Sequence, residues 1–398
     1  MRSSVLAFAF LMALHTGPVL AASVEPPPST EPAGLRVVTG PYLQSPTETS
    51  MTVLWMTDRA SSGWVEYGID ETLATKAFTA EDGLWDANTR LHRVVLSGLT
   101  PGTTYRYRVA SREIVEFQPY KVIYGATARS DAQAFRTLDR KQARCSFVVL
   151  NDNHENVDLL RARLARAGER PYDLVFYNGD MLNHTDSEAQ VVEKVLAPST
   201  EVFAGRFPFV WVRGNHEARG LYARELKSHV ASPTGRYYYA FDHGPVRFIV
   251  LDSGEDKADD HQEYGGLTDF DAYRETEAQW LKNEVESKAF KKARFRVALL
   301  HQPPFVLERT HNHGRQDCAQ RWGHLLNRGI DLMLSAHLHQ FRMVEPAPGV
   351  HDYPIVVGGG PKPGQGTVIR VEADARQMDL TVLGDDGAVL SRRNVRRR

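Results

Sequence analysis

Cysteine is nearly absent: this chain of 398 residues has two, Cys145 and Cys318. Neither has metal-site spacing, which sets aside a thiolate-built centre. Both read as free, half-buried thiols, with pairing in an oxidising compartment left open. Excess charge of either sign is also missing. The formal net charge is -1, so no global field recruits nucleic acid or anionic lipid. The one basic run, Ser391 to Arg398, reads as a solvated, frayed terminus. Beyond the first residues no stretch is apolar enough to form a membrane helix, so no membrane anchor is expected.

The apolar stretch that does occur, Val5 to Leu14, follows Arg2 and precedes Gly17-Pro18 and Ala21-Ala22. That is the order of an export signal over residues 1–22, too short to span a bilayer. A Pro-rich leader, residues 23–34, would open the mature chain. No Cys follows the cleavage site, so lipid anchoring is not expected there. The expected location is periplasmic or secreted.

Two domains fit this length. Residues 35–137 are patterned as strands throughout, as in Met51-Thr52-Val53-Leu54-Trp55 and Tyr105-Arg106-Tyr107-Arg108-Val109, with turn clusters between them. This predicts an all-β sandwich. The run Leu99-Thr100-Pro101-Gly102-Thr103-Thr104-Tyr105 resembles the tyrosine corner of fibronectin type III domains. Leu138 to Arg144 is a charged linker. From Cys145 to the end at residue 398 the texture becomes α/β. Continuous apolar runs such as Phe147-Val148-Val149-Leu150 alternate with helical patterns at Val157–Ala167, Glu275–Glu286 and Gln316–Arg328. Added strands with Gly-rich turns, notably Gly358-Gly359-Gly360, are expected over 350–390.

Five clusters of Asp, Asn and His punctuate this second region. They are Asp152-Asn153-His154, Gly179-Asp180, Gly214-Asn215-His216-Glu217, His301 and His337-Leu338-His339. Four follow a buried run directly and the fifth comes just after one. Ligands in open α/β sheets gather outside the carboxyl ends of strands, so these side chains can converge. Carboxylate, amide and imidazole donors from separate segments are how a fold builds a two-metal site for hydrolysis at phosphorus.

The order of these clusters resembles the calcineurin-like metallophosphoesterase superfamily. With a fibronectin-like domain ahead of it, the chain is similar to the purple acid phosphatase branch. The resemblance implies two packed mixed β-sheets flanked by helices. It implies that Asp152, His154, Asp180 and His339 hold one ion, and that Asp180, Asn215, His301 and His337 hold the other, Asp180 bridging. Oxygen and imidazole donors suit Fe, Mn or Zn. Two departures stand out: His154 replaces the Gly usual in that branch, and Asn183 stands where its iron-binding Tyr would be. Together they imply two divalent ions and no violet tyrosinate absorption.

The expected activity is acid-phosphatase-like hydrolysis of small phosphate monoesters by attack of a metal-bound hydroxide on phosphorus. His216 would protonate the leaving group, and Glu217 would orient it or simply take a helix-start or surface role. His311 and His313, about ten residues past His301, are candidates to contact substrate; Arg213 reads as structural. A phosphodiesterase or nucleotide hydrolase using the same site is the alternative enzyme. A non-catalytic adhesion or binding module is the alternative of another class. No nucleic-acid partner is expected beyond nucleotides as substrates.

Overall fold

The computed structural model describes residues 34–306 and 312–396. The expected export signal and the leader up to residue 33 lie outside them. Among the described residues no helix is long and apolar enough to cross a membrane.

The first region is built around one long strand, Ser50–Gly68. Its first half pairs with Val37–Gln44 and with Thr89–Ser97; beyond an irregularity after Met56, its second half pairs with Thr104–Gln118. These partners enclose a core of Leu43, Val53, Trp55, Val94, Tyr107 and Phe135. The Tyr105 hydroxyl accepts the Thr100 N–H at 3.0 Å, tying the turn to the strand that follows.

The second region contains two six-stranded mixed sheets. One runs Phe209–Val212, Leu174–Asn178, Cys145–Leu150, Thr367–Ala373, Gln377–Gly384, Val389–Arg396. The other runs Tyr239–His243, Val246–Val250, Phe295–Leu299, Leu332–Ser335, Ile355–Val357, Arg342–Val344. Phe147, Phe176 and Ile369 of the first share a core with Phe248, Val297 and Leu334 of the second. The opposite face of the first sheet packs with Leu160 and Leu164 of helix Val157–Gly168. That of the second packs with Leu281 of helix Phe270–Glu286 and Trp322 of helix His313–Leu326. Strands covered on both faces explain the unbroken apolar runs of the sequence.

Several expectations need correction. Helix Phe270–Glu286 starts five residues before the predicted Glu275. The Asp259 carboxylate accepts the N–H groups of Phe270 and Asp271, at 2.7 and 2.9 Å, so its first turn is capped by a distant residue. Helix His313–Leu326 likewise begins before Gln316, because the Asn312 side chain accepts the Arg315 N–H at 2.8 Å. The basic tail is not frayed through Arg396: Val389–Arg396 is an edge strand, and Arg393 pairs with Glu345. Cys145 and Cys318 are unpaired thiols and fully rather than half buried; burial pushes both thiols well above their ordinary range.

Candidate metal centre

Asp152, Asp180 and Asn215 follow the parallel strands Cys145–Leu150, Leu174–Asn178 and Phe209–Val212, so one sheet brings three loops to one end. His301 and His337 follow the parallel strands Phe295–Leu299 and Leu332–Ser335 of the other sheet. The loops lock together through backbone. Asp152 N–H donates to Gly179 O and His154 N–H to Asp180 O, each at 3.0 Å. The Asp152 carboxylate accepts the His337 N–H at 3.0 Å, and Asp180 Oδ1 accepts the His216 N–H at 3.1 Å.

Glycine is required where these loops touch. Gly179 has φ +83°, and a Cβ there would lie 2.3 Å from His301 Nδ1. A Cβ at Gly214 would lie 2.2 Å from Asp180 Oδ1.

Two groups of donor atoms result. Asp152, His154, Asp180 and His339 form one; Asp180, His301 and His337 form the other, with all donor atoms of a group within 4.8 Å of one another. Asp180 belongs to both. Asn215 Oδ1 joins the second group, 3.0 Å from His337 Nδ1. His154 Nε2 and His339 Nε2 are 3.0 Å apart, and His301 Nε2 is 3.1 Å from Asp180 Oδ2. Asp152 Oδ1 and His301 Nε2 are buried and, among the described residues, meet only other atoms of these two groups: His339 Nε2 at 3.4 Å and Asp180 Oδ2 at 3.1 Å. Buried polar atoms are normally satisfied, and cations at these two points would satisfy both. The donor set therefore fits a pair of metal ions.

Charge in the metal-free protein follows the same geometry. Burial opposes ionisation of Asp180, yet the His301 imidazole beside it holds the carboxyl far below the usual carboxylate range. Burial likewise works against a charged His301, but Asp180 raises it to about 10. Burial, reinforced by His301, pushes His337 down to about 4. A metal ion competes with the proton on His301, so affinity falls in acid.

Residues 145–341 match the calcineurin-like phosphoesterase family model, and residues 39–137 match the purple acid phosphatase N-terminal domain. The chain belongs to the calcineurin-like phosphoesterases. Its N-terminal match places it in their purple acid phosphatase-like branch, a family of metal-dependent phosphatases with dinuclear centres. It is 24% identical over 343 residues to acid phosphatase type 7 of Homo sapiens, spanning 79% of this chain and 71% of that protein. Its fold is shared with a purple acid phosphatase from yellow lupin (Lupinus luteus) seeds: TM-score 0.67, 16% identity, 90% of this chain and 74% of the other. It is shared also with the structure of PhoD: TM-score 0.60, 13% identity, 90% and 91% of the two chains.

Within this calcineurin-like centre the departures at His154 and Asn183 meet. His154 Nδ1 lies 3.0 Å from Asn183 Oδ1, an acceptor that puts the proton on Nδ1 and leaves the Nε2 lone pair toward the donors. His301 is set the same way, with Nδ1 2.9 Å from Asn178 O. His216 Nδ1 donates to Asn183 O at 2.5 Å, and its Nε2 lies 3.9 Å from Asp180 Oδ2.

Of the roles expected of Glu217, a hydrogen bond to His216 does not appear among the described residues, and Glu217 lies in the short helical turn His216–Ala218. It is fully buried and accepts the N–H groups of Asp180 (2.9 Å), Met181 (2.7 Å), Leu182 (3.2 Å) and Gly214 (2.8 Å). Of the two candidate substrate contacts, His311 lies outside the described residues. His313 is turned to Asp271, 2.8 Å from its Oδ1. The residue between them, Asn312, reaches the centre, with Nδ2 3.0 Å from His337 Nε2. The sequence carried no signal for it beyond an Asn at a helix start. Arg213 is structural, paired with Asp252 at 2.6 Å.

Proposed function

We propose that this calcineurin-like phosphoesterase hydrolyses phosphate monoesters at a centre of two divalent ions, and that it works in the periplasm or outside the cell. The observation that carries the reading is the sharing of Asp180 between two donor groups, with Asp152 Oδ1 and His301 Nε2 left without other partners. Bound there, two cations supply a neutralising charge for phosphoryl oxygens and an activated water. Asp152, His154 and His339 hold one side of the pair; Asn215, His301 and His337 hold the other. Only two of these donors are carboxylates, so the loaded centre keeps excess positive charge, which suits a phosphate dianion. The signal-like residues 1–22 support export.

His216 is the proton donor to the leaving oxygen. Asn183 O anchors its Nδ1 and leaves Nε2 beside the centre, on a side chain 28% exposed. His216→Ala should lower turnover of alkyl phosphates by about 10²-fold or more, and that of nitrophenyl phosphate far less, because a good leaving group needs no acid. Equal losses on both would remove His216 from that role. Turnover of nitrophenyl phosphate against bis-nitrophenyl phosphate tests the monoester reading; a preference for the diester would overturn it.

A further inference from the structure

A cavity of about 400 Å³ opens beside the His216–Ala218 turn, with Ala218 in its wall. Arg213, Arg224, Lys227 and Arg236 line it, together with one carboxylate, Asp269. Arg213 is already neutralised by Asp252 and stacks over Tyr237, 4.3 Å from the ring centroid. Among the described residues the other three cations have no carboxylate partner. Arg224 donates to Leu267 O at 3.2 Å, and Arg236 donates to the Tyr238 hydroxyl. Set against Asp269, the three cations leave two positive charges uncompensated. The Arg213 Nε and the Tyr237 hydroxyl, also of the lining, are buried without hydrogen-bond partners among the described residues.

We infer that this cavity binds an oxyanion of the phosphate type. Its uncompensated charge equals that of a phosphate dianion, and guanidinium, ammonium and phenol groups all donate to such oxygens. The unsatisfied Arg213 Nε and Tyr237 hydroxyl are donors that a ligand can complete. Arg213 leads directly into Gly214-Asn215-His216, so an anion held here sits against the loop that delivers a metal donor and the proposed acid. The same chemistry comes from two sources: a second phosphoryl group on the substrate, which rests on the phosphoesterase reading above, or a free anion.

The test uses the metal-loaded full chain and its Lys227→Ala/Arg236→Ala variant. Both side chains are exposed, and neither belongs to the catalytic set. Equilibrium binding of inorganic phosphate should give two phosphates per chain for the wild type and one for the variant. In parallel, kcat/KM is compared for a monophosphate ester and for the same ester carrying a second phosphate. An advantage of roughly tenfold or more for the bisphosphate, lost in the variant, assigns the anion to the substrate. Two bound phosphates with no such advantage assign it to a free anion. One phosphate per chain in both proteins, with no bisphosphate advantage, overturns the inference. Nitrophenyl phosphate turnover is the control: its absence in both proteins would count against the catalytic reading and leave the phosphate count to judge this one.

Discussion

At the scale of single residues, the centre rests on backbone that side chains normally avoid. Asp152, His154, Asp180, His337 and His339 all have left-handed φ, between 45° and 73°. Each costs about 1 kcal/mol or more unless its surroundings impose it. Glu217 supplies part of those surroundings at Asp180, because its one carboxylate accepts four N–H groups from two loops, that of Asp180 among them. Glu217→Ala should therefore lower unfolding free energy by about 3 kcal/mol or more in urea titration, with Glu217→Gln milder. A loss below about 1 kcal/mol would mean water replaces the carboxylate. Its motif was plain in the sequence, but its role was not, since three of its partners lie some 35 positions earlier. Asn183 yields a second expectation at this scale. With an amide contacting His154 where a tyrosinate would be a ligand, ferric loading should produce no intense visible absorption band. Such a band would contradict the reading.

At the scale of elements, what was legible was what local pattern encodes. Continuous apolar runs marked strands covered on both faces, and the donor clusters stood at their ends. One helix start was missed because its cap comes from elsewhere: no local pattern announces that Asp259 caps helix Phe270–Glu286. The tail was misread because its arginines sit on a mostly exposed edge strand, where burial leaves little trace. Strand Thr89–Ser97 carries a pH prediction. His92 is buried against Trp55, and burial pushes it down to about 4. The unfolded chain binds that proton more readily, so the group's full stability is present above about pH 6.5 and is lost progressively toward pH 4. A shift of this size is worth about 3 kcal/mol. His92→Phe should flatten the stability curve between those pH values, measured by denaturant titration; an unchanged slope would refute the assignment.

At the scale of the whole molecule, two sheets sharing one core present their strand ends to a single place. That convergence was inferred from order alone, because separate strands ending in donors have few other reasons to do so. Asn312 and the cation-lined cavity were invisible for the opposite reason: they depend on how distant loops meet. The donor loops are tied by backbone hydrogen bonds independent of any ion. Chelation should therefore abolish turnover while leaving the circular dichroism spectrum intact, with a lower Tm restored on adding metal back. Loss of the folded spectrum on chelation would show that the loops need the ions to form. The most direct test of the central claim is metal content per chain beside turnover, for wild type and Asp180→Ala. The shared carboxylate predicts two ions per wild-type chain, with both occupancy and phosphatase activity collapsing in the variant. Two ions retained without Asp180, or an active wild-type chain holding fewer than two, would contradict it.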